Sequence, residues 1–412
     1  MIFLFRGIEM KSIFKSKELR KMQNIVFKTK NIPITDNRGE MEKIGRRIFD
    51  ENTHIYNEKI VKEMHSFMNE VLPASLAEEK DLFFYGSIYD YWVYGNSVRE
   101  EFYYDFIHKI HQEKQTYLTM RKRMLYFAYL NDDTDRDICS NKWKCYNYFK
   151  DFYKRDVMLL EKNPDEKSFQ EFEQFIEKNP EFIIKPLDLG EGDGVEKLSL
   201  SDLGEGGGRR HMFEELQKRR EDLLAEYAWG DSSAVLLEEI LVPTDALKII
   251  HPQSVNFVRC PTIWVDNKVT IYHPWLLCGN GGEFFIKGYG NYNLAGIDPE
   301  TGTVVTKLAN EHREFYECHP DTNVKIPGFV IPRWDELIKT VTEMSEMLPN
   351  VRYVAWDMVL TDKYGWVPIE ANDDGEPLWQ LCFDKGFKDE LDELIGWQID
   401  ESRFWWELVS IG

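Results

Sequence analysis

Three polar residues near the end of the chain are the ones whose types and spacing could hold a cation: Asp357, Glu370 and Asn372. They lie in VAWDMVLTDKYGWVPIEAN, residues 354–372. This stretch reads as two short apolar strands joined by a turn at Asp362–Gly365. Trp356, Met358 and Leu360 alternate with Asp357, Val359 and Thr361. An acid within an apolar strand is costly unless it is paired or holds a cation. Glu370 and Asn372 are two apart and point the same way in extended chain. If the strands pair, Asp357 can face both. A small set of oxygen donors suits Mg²⁺ shared with substrate phosphates. A surface hairpin with solvated acids would show the same pattern.

A second candidate group follows Phe182-Ile183-Ile184. Lys185 ends that strand, and Gly190, Gly192 and Gly194 come directly after it. Glycines let backbone N–H groups close on phosphate, and the lysine adds a point charge. No Gly-Lys-Ser/Thr follows, so the loop does not fit the Walker pattern. Asp188–Gly192 is echoed by Asp202–Gly206; with Gly207 and Gly208 the second copy is expected to be a flexible insertion. Asn131–Asp137 lacks the glycine and distal glutamate of a calcium loop and reads as a solvated turn. His251 and His319 each precede a proline in loops and are expected to be structural.

These groups must be positioned by strands and helices. VMLLEK, Ala234–Leu241 and the segments on either side of Asp266-Asn267 read as strands. KSFQEFEQFIEKN, HMFEELQKRREDLLAEY and the stretch after Pro332 read as helices. Asn256 and Arg259 interrupt one of the strands flanking the Asp266 turn. Asn291 and Asn293, in the glycine-rich stretch after Gly279, are candidate ligand contacts. VREEFYYDFIHKIHQEKQTYLTMRKRMLYFAYLND has apolar residues at helical spacing throughout, among them Phe102, Phe106, Ile110, Tyr117, Met124 and Phe127. It is expected to form a long helical core layer. KSIFKSKELRKMQ near the start reads as a loose helix.

The 412 residues suffice for two or three domains, and 43% hydrophobic with 14% aromatic content implies a folded chain. A formal net charge of −21 disfavours a nucleic-acid partner, and no long Lys/Arg run offsets it. Six dispersed cysteines without a C-x-x-C pair fit reduced thiols. Met1–Phe5 is too short for a signal core, and no stretch reaches membrane-spanning length. A soluble, cytoplasmic protein is expected.

Taken in order, IIKPLDLGEGDGV, VLLEEIL, HPQSVNFVR, HPDTN, IPRW, WDMV and EAN resemble the ATP-grasp superfamily. The similarity is to its sugar-transfer-associated branch, over about residues 90–380. The resemblance implies an α+β ATP-grasp fold, two α+β subdomains gripping ATP, with a helical N-terminal region. The expected divisions are 1–130 helical, 131–240 first subdomain, 241–390 second subdomain and 391–412 a C-terminal helix or tail. It implies ATP and Mg²⁺, with Mn²⁺ as substitute, and Asp357, Glu370 and Asn372 as metal ligands. Lys142 and Lys185 would hold phosphates, under a mobile loop carrying Gly192 and Gly194. Glu238, Glu239, Ile240 and Leu241 would form the hinge that reads adenine. Arg259 would neutralise the transferred phosphoryl group, and Asn256 and Asn291 would contact substrate. Several relatives keep an arginine two residues before the metal aspartate, where this chain has Ala355.

The activity implied is a carboxylate–amine ligase working through an acyl phosphate, on a sugar, polysaccharide precursor or peptide. Such chemistry needs no protein nucleophile, which fits the absence of a Ser/His/Asp or Cys/His set. The alternative on the same fold is a kinase acting on a hydroxyl; a third possibility is a binding module without catalysis.

Overall fold

The computed structural model describes residues 32–72, 79–132, 134–190, 192–227, 233–282, 284, 286 and 292–399. The loose helix expected near residue 11 lies outside the described residues. The chain divides into two compact units. One takes Met1–Asp133, Glu311–Glu314 and Asp374–Gly412; the other takes Thr134–Asn310 and Phe315–Asp373.

The described part of the first unit is helical. Helices α1 (Arg38–Glu51), α2 (Glu58–Val71), α3 (Lys80–Tyr94), α4 (Val98–Tyr103) and α5 (Met120–Leu130) are joined by Trp379–Phe383 and Lys388–Ile395. Asn37 caps α1 by accepting from the Glu40 amide at 3.0 Å, and Met41, Ile44 and Ile48 form its buried stripe. At Gly45 the backbones of α1 and α3 nearly touch: a Cβ there would lie 1.8 Å from the Tyr85 carbonyl oxygen. The helical layer expected over 98–130 is divided into several short helices. Ser97 and Glu100 form a capping box for α4, and Asp105 stops the run with a left-handed φ of 54°. Helical spacing placed most of the aromatics in the core correctly, since Phe102, Phe106, Tyr117 and Phe127 are buried. Ile110, beyond the break, is 47% exposed.

The second unit holds two antiparallel sheets. The first contains β1 (Val157–Leu160), β2 (Glu181–Pro186), β3 (Glu196–Ser199) and β4 (Val235–Glu239), in the order β1-β4-β2-β3. Helices α7 (Glu166–Lys178) and α8 (Gly208–Glu226) follow a shorter α6 (Lys142–Tyr148). Phe172 and Phe175 of α7 and Leu216 and Leu223 of α8 pack with Phe182, Ile184, Val235 and Leu237. Strand alternation then sends Ile183, Lys185, Leu236 and Glu238 to the other face. The second glycine copy forms the β3–α8 connection. It is wound into turns in which Ser199 donates through N and Oγ to Asp202.

The second sheet runs β10-β9-β8-β7-β5-β11-β12, with β6 beside β5. Its strands are β5 (Phe257–Val265), β6 (Lys268–Ile271), β7 (Trp275–Gly279), β8 (Tyr292–Gly296), β9 (Leu308–Asn310), β10 (Phe315–Tyr316), β11 (Tyr353–Thr361) and β12 (Gly365–Asn372). Every residue of β11 is buried. Its Val354, Trp356, Met358 and Leu360 join Leu337, Val341 and Met344 of α9 (Trp334–Glu346) in the core. The Trp356 indole N–H lies 3.1 Å from Thr262 Oγ1 and 3.0 Å from Ser345 Oγ, so its polar atom is satisfied inside that core.

Candidate active site

The same alternation places Asp357 on the face of β11 away from α9. In the ladder Asp357 is opposite Glu370 on one side and Arg259 on the other, and Ala355 is opposite Asn372. The four polar side chains therefore share one face of three adjacent strands. Arg259 grips Asp357 with both arms of its fork, Nε to Oδ1 at 2.5 Å and Nη2 to Oδ2 at 2.6 Å. Asn372 Nδ2 donates to Asp357 Oδ2 at 3.3 Å. Between Asp357 and Met358 the register slips, so that Met358 faces Pro368 and Ile369 is the extra residue of a β-bulge.

Lys142 and Lys185 approach from the other elements. Asn141 caps α6 by accepting from the Trp143 and Lys144 amides, which sets Lys142 as the first helical residue. Its ammonium donates to the Leu189 carbonyl at the root of the glycine loop and stands 3.8 Å from Glu370. Lys185 is only 6% exposed, and its ammonium sits 2.8 Å from Glu238 Oε1.

The charges tune one another. Burial, with Glu370 close by, pushes the Asp357 carboxyl up to about 6 against the pull of Arg259. Burial would also raise Glu370, but Lys142, Arg259 and Lys185 outweigh it and hold Glu370 below the usual carboxylate range. Burial lowers Lys185, aided by Arg155 and Lys142 and opposed by Glu238. Two carboxylates held together against their repulsion, with an amide on the same face, form a donor set that a small divalent cation would relieve. Turned over about its last side-chain bond, the Asn372 amide offers Oδ1 instead of Nδ2. The residues present therefore fit Mg²⁺. Among the described residues no group of three His, Cys, Asp or Glu side chains is placed to hold a metal ion, so any site here must draw on the amide.

The model of the sugar-transfer associated ATP-grasp family matches residues 121–394. The chain belongs to this family. Its mixed helical and sheet architecture is that of an ATP-grasp fold. No curated protein matches the sequence. Among solved structures, the chain is similar to the D-alanine–D-alanine ligase of Helicobacter pylori, at 16% identity and a TM-score of 0.38 over 66% of each chain. It is also similar to the VanG D-Ala:D-Ser ligase of Enterococcus faecalis, at 12% identity and a TM-score of 0.39, over 68% of this chain and 64% of that one. For the D-alanyl-alanine synthetase A of Vibrio cholerae the figures are 15%, 0.38, 71% and 72%. The chain thus spans about two thirds of the length of these proteins. The family match, and not these distant likenesses, carries the assignment.

The remaining ATP-grasp candidates are only partly gathered. Gly192 and Gly194 lie in the β2–β3 connection with φ of 77° and 67°, and a Cβ on Gly194 would meet Pro186 Cγ at 2.9 Å. Glu238 faces inward to Lys185, whereas Glu239 is held by Lys363 Nζ at 2.6 Å and Tyr364 Oη at 2.7 Å. Ile240 and Leu241 lie in the link from β4 to Pro243, which bridges Thr361. Asn256 is not brought to the cluster. It is fully buried, and its Nδ2 donates to the Leu247 and His251 carbonyls. Asn291 lies outside the described residues. Arg259 stands beside Asp357, on the strand neighbouring Ala355.

His251 and His319 act on one backbone segment. His319 Nε2 is 2.9 Å from the Gly279 carbonyl, and His251 Nε2 is 2.8 Å from that of Gly281. Ser254 Oγ accepts from the Gly279 N–H at 3.1 Å, and Asp321 from the Gly281 N–H at 2.8 Å. The two His-Pro-x-Ser/Thr turns thereby satisfy both polar groups of both glycines.

Arg155 went unnoticed in the sequence. It is 3% exposed, donates from Nη2 to Glu238 Oε2 at 3.0 Å, and donates from Nη1 to the Pro368 carbonyl at 2.6 Å. A basic residue next to Lys154 and ahead of a strand resembles any surface lysine or arginine. The one available signal was Glu238 itself, an acid in an apolar strand that needs counter-charge.

Proposed function

We propose that the chain is an ATP- and Mg²⁺-dependent ligase that joins a carboxylate to an amine or similar nucleophile. The observation that supports this most is the gathering of Lys142 and Arg259 on Asp357, Glu370 and Asn372, with Lys185 near enough for its charge to act on Glu370. Asp357, Glu370 and Asn372 would hold Mg²⁺, which supplies neutralisation of phosphate charge when bound. Lys142 and Lys185 receive the terminal phosphates of ATP, and backbone N–H groups near Gly192 and Gly194 cover them. A substrate carboxylate oxygen attacks the γ-phosphorus and ADP leaves. Arg259 stabilises the charge that builds on the transferred group. The amine then attacks the acyl carbon, loses a proton, and expels phosphate. Glu238 keeps Lys185 in place without neutralising it fully, because the carboxylate is shared with Arg155.

The family's association with sugar transfer supports a carboxylate or nucleophile carried on a sugar, a polysaccharide precursor or a peptide. The test incubates the chain with ATP, Mg²⁺ and pools of amino acids, amino sugars and sugar acids, followed by mass spectrometry. A product smaller than its two parents by one water, formed with one ADP and one free phosphate, is the expected outcome. A phosphorylated product without free phosphate would instead establish a kinase and overturn the ligase reading.

A further inference from the structure

Glu370 and Lys185 belong to different sheets, and one side chain bonds to the surroundings of both. Arg155 follows Lys154, whose φ is 54°, and leads into β1 with its side chain buried. Its Nε and Nη2 lie 3.2 and 3.0 Å from Glu238 Oε2, and Lys185 occupies the other oxygen of that carboxylate at 2.8 Å. On its far side Arg155 donates to the Pro368 carbonyl at 2.6 Å and to the Ile369 carbonyl at 3.3 Å. Those two carbonyls are the bulge of β12, the step that immediately precedes Glu370.

A bulge leaves main-chain groups out of the ladder and re-aims the side chain that follows it. A buried carbonyl without a donor costs the desolvation of that group. The planar fork of arginine suits both demands, since it offers several fixed N–H groups, whereas a lysine offers a single centre. We propose that Arg155 is a positioning residue for the metal site. By filling the bulge carbonyls it sets the aim of Glu370, and by holding Glu238 it sets Lys185 relative to that carboxylate. The inference rests on the reading of Asp357, Glu370 and Asn372 as a Mg²⁺ site under nucleotide phosphates.

The test uses the full chain and a non-hydrolysable ATP analogue, AMP-PNP, with binding followed by calorimetry as Mg²⁺ is titrated. The quantity read is the Mg²⁺ concentration at half of the metal-dependent tightening. Arg155→Met should raise it about tenfold, the scale for removing a group that orients a metal ligand. Arg155→Lys keeps the charge but cannot reach Glu238 and both carbonyls together, so it should also raise the midpoint. It carries the test if Arg155→Met does not fold. Arg220→Met removes another buried arginine, one bonded to the Ser233 carbonyl at 2.9 Å, and should leave the midpoint unchanged. A folded Arg155 variant with the wild-type midpoint, or an equal rise in Arg220→Met, overturns the proposal. If the unaltered chain shows no Mg²⁺-dependent tightening, the nucleotide-site reading itself fails, and the inference with it.

Discussion

Asp357 shows how far neighbours can move a single carboxyl. Arg259 pulls it toward ionisation, while burial and Glu370 push the other way and leave it at about 6. As pH falls through 6, Asp357 therefore takes up a proton that an ordinary aspartate would take up near 4. Protonation costs it the Arg259 pair and competes with a cation for the same oxygens. The Mg²⁺ concentration needed for nucleotide binding should consequently rise as pH drops from 7 to 5, and titrations at several pH values would show it. An unchanged requirement across that range would separate Asp357 from the metal. Lys185→Ala and Glu370→Gln each remove one charged group from the proposed phosphate site. Each should lower turnover about 100-fold or more, the scale for losing one electrostatic stabiliser. Steady-state rates at saturating ATP would measure this, and near-normal turnover in either variant would remove that residue from the site.

Among the elements, the terminal hairpin is the most constrained. Its turn is tied to β4 through Glu239 and Lys363, and its bulge through Glu238 and Arg155. The Gly279–Gly281 segment is secured by the paired His-Pro turns. Removing the His319 ring should leave the Gly279 carbonyl without its donor and strip the His251 ring of its stacking partner at 5.4 Å. His319→Ala should therefore lose about 1–3 kcal/mol of stability, readable by urea unfolding. A loss within error of zero would mean that water replaces the ring. This is also the scale at which sequence reading succeeded and failed. The alternation of Trp356, Met358 and Leu360 with Asp357 revealed which face the acid takes, because a strand with one apolar face admits a single register. The bulge at Ile369 left no such trace, as an extra residue does not alter composition. Arg155 was hard to see for a related reason: besides Glu238 its partners are main-chain carbonyls, which every residue supplies. The run from Val98 to Leu130 showed its helical character but not its break, because aromatic spacing reports burial, whereas the left-handed turn at Asp105 is a backbone choice that the spacing does not encode.

For the whole molecule, a formal charge of −21 would repel a nucleotide at long range. Against this, the candidate site gathers Lys142, Lys185 and Arg259, all three largely buried, where salt screens less than at the surface. If these cations receive the phosphates, short-range attraction outweighs the global repulsion. Salt should then relieve the long-range repulsion more than it weakens the buried attraction, so nucleotide affinity at fixed Mg²⁺ should hold or rise between 50 and 500 mM salt, values on the order of those that shorten screening from above ~10 Å to a few ångströms. A steep fall in affinity with salt would mean that the phosphates are held by exposed cations elsewhere. Among the described residues no helix is long and apolar enough to cross a membrane. All six cysteines lie outside any disulfide, and five of them are buried.

The most direct test of the account is to locate the metal. Crystals of the full chain grown with AMP-PNP and Mn²⁺ in place of Mg²⁺ would reveal the ion by its anomalous scattering. The account predicts a peak about 2.0–2.2 Å from oxygens of Asp357, Glu370 and Asn372, with the nucleotide phosphates on its other side and Lys185 in contact with them. An ion bound to the nucleotide but away from these three side chains would contradict it.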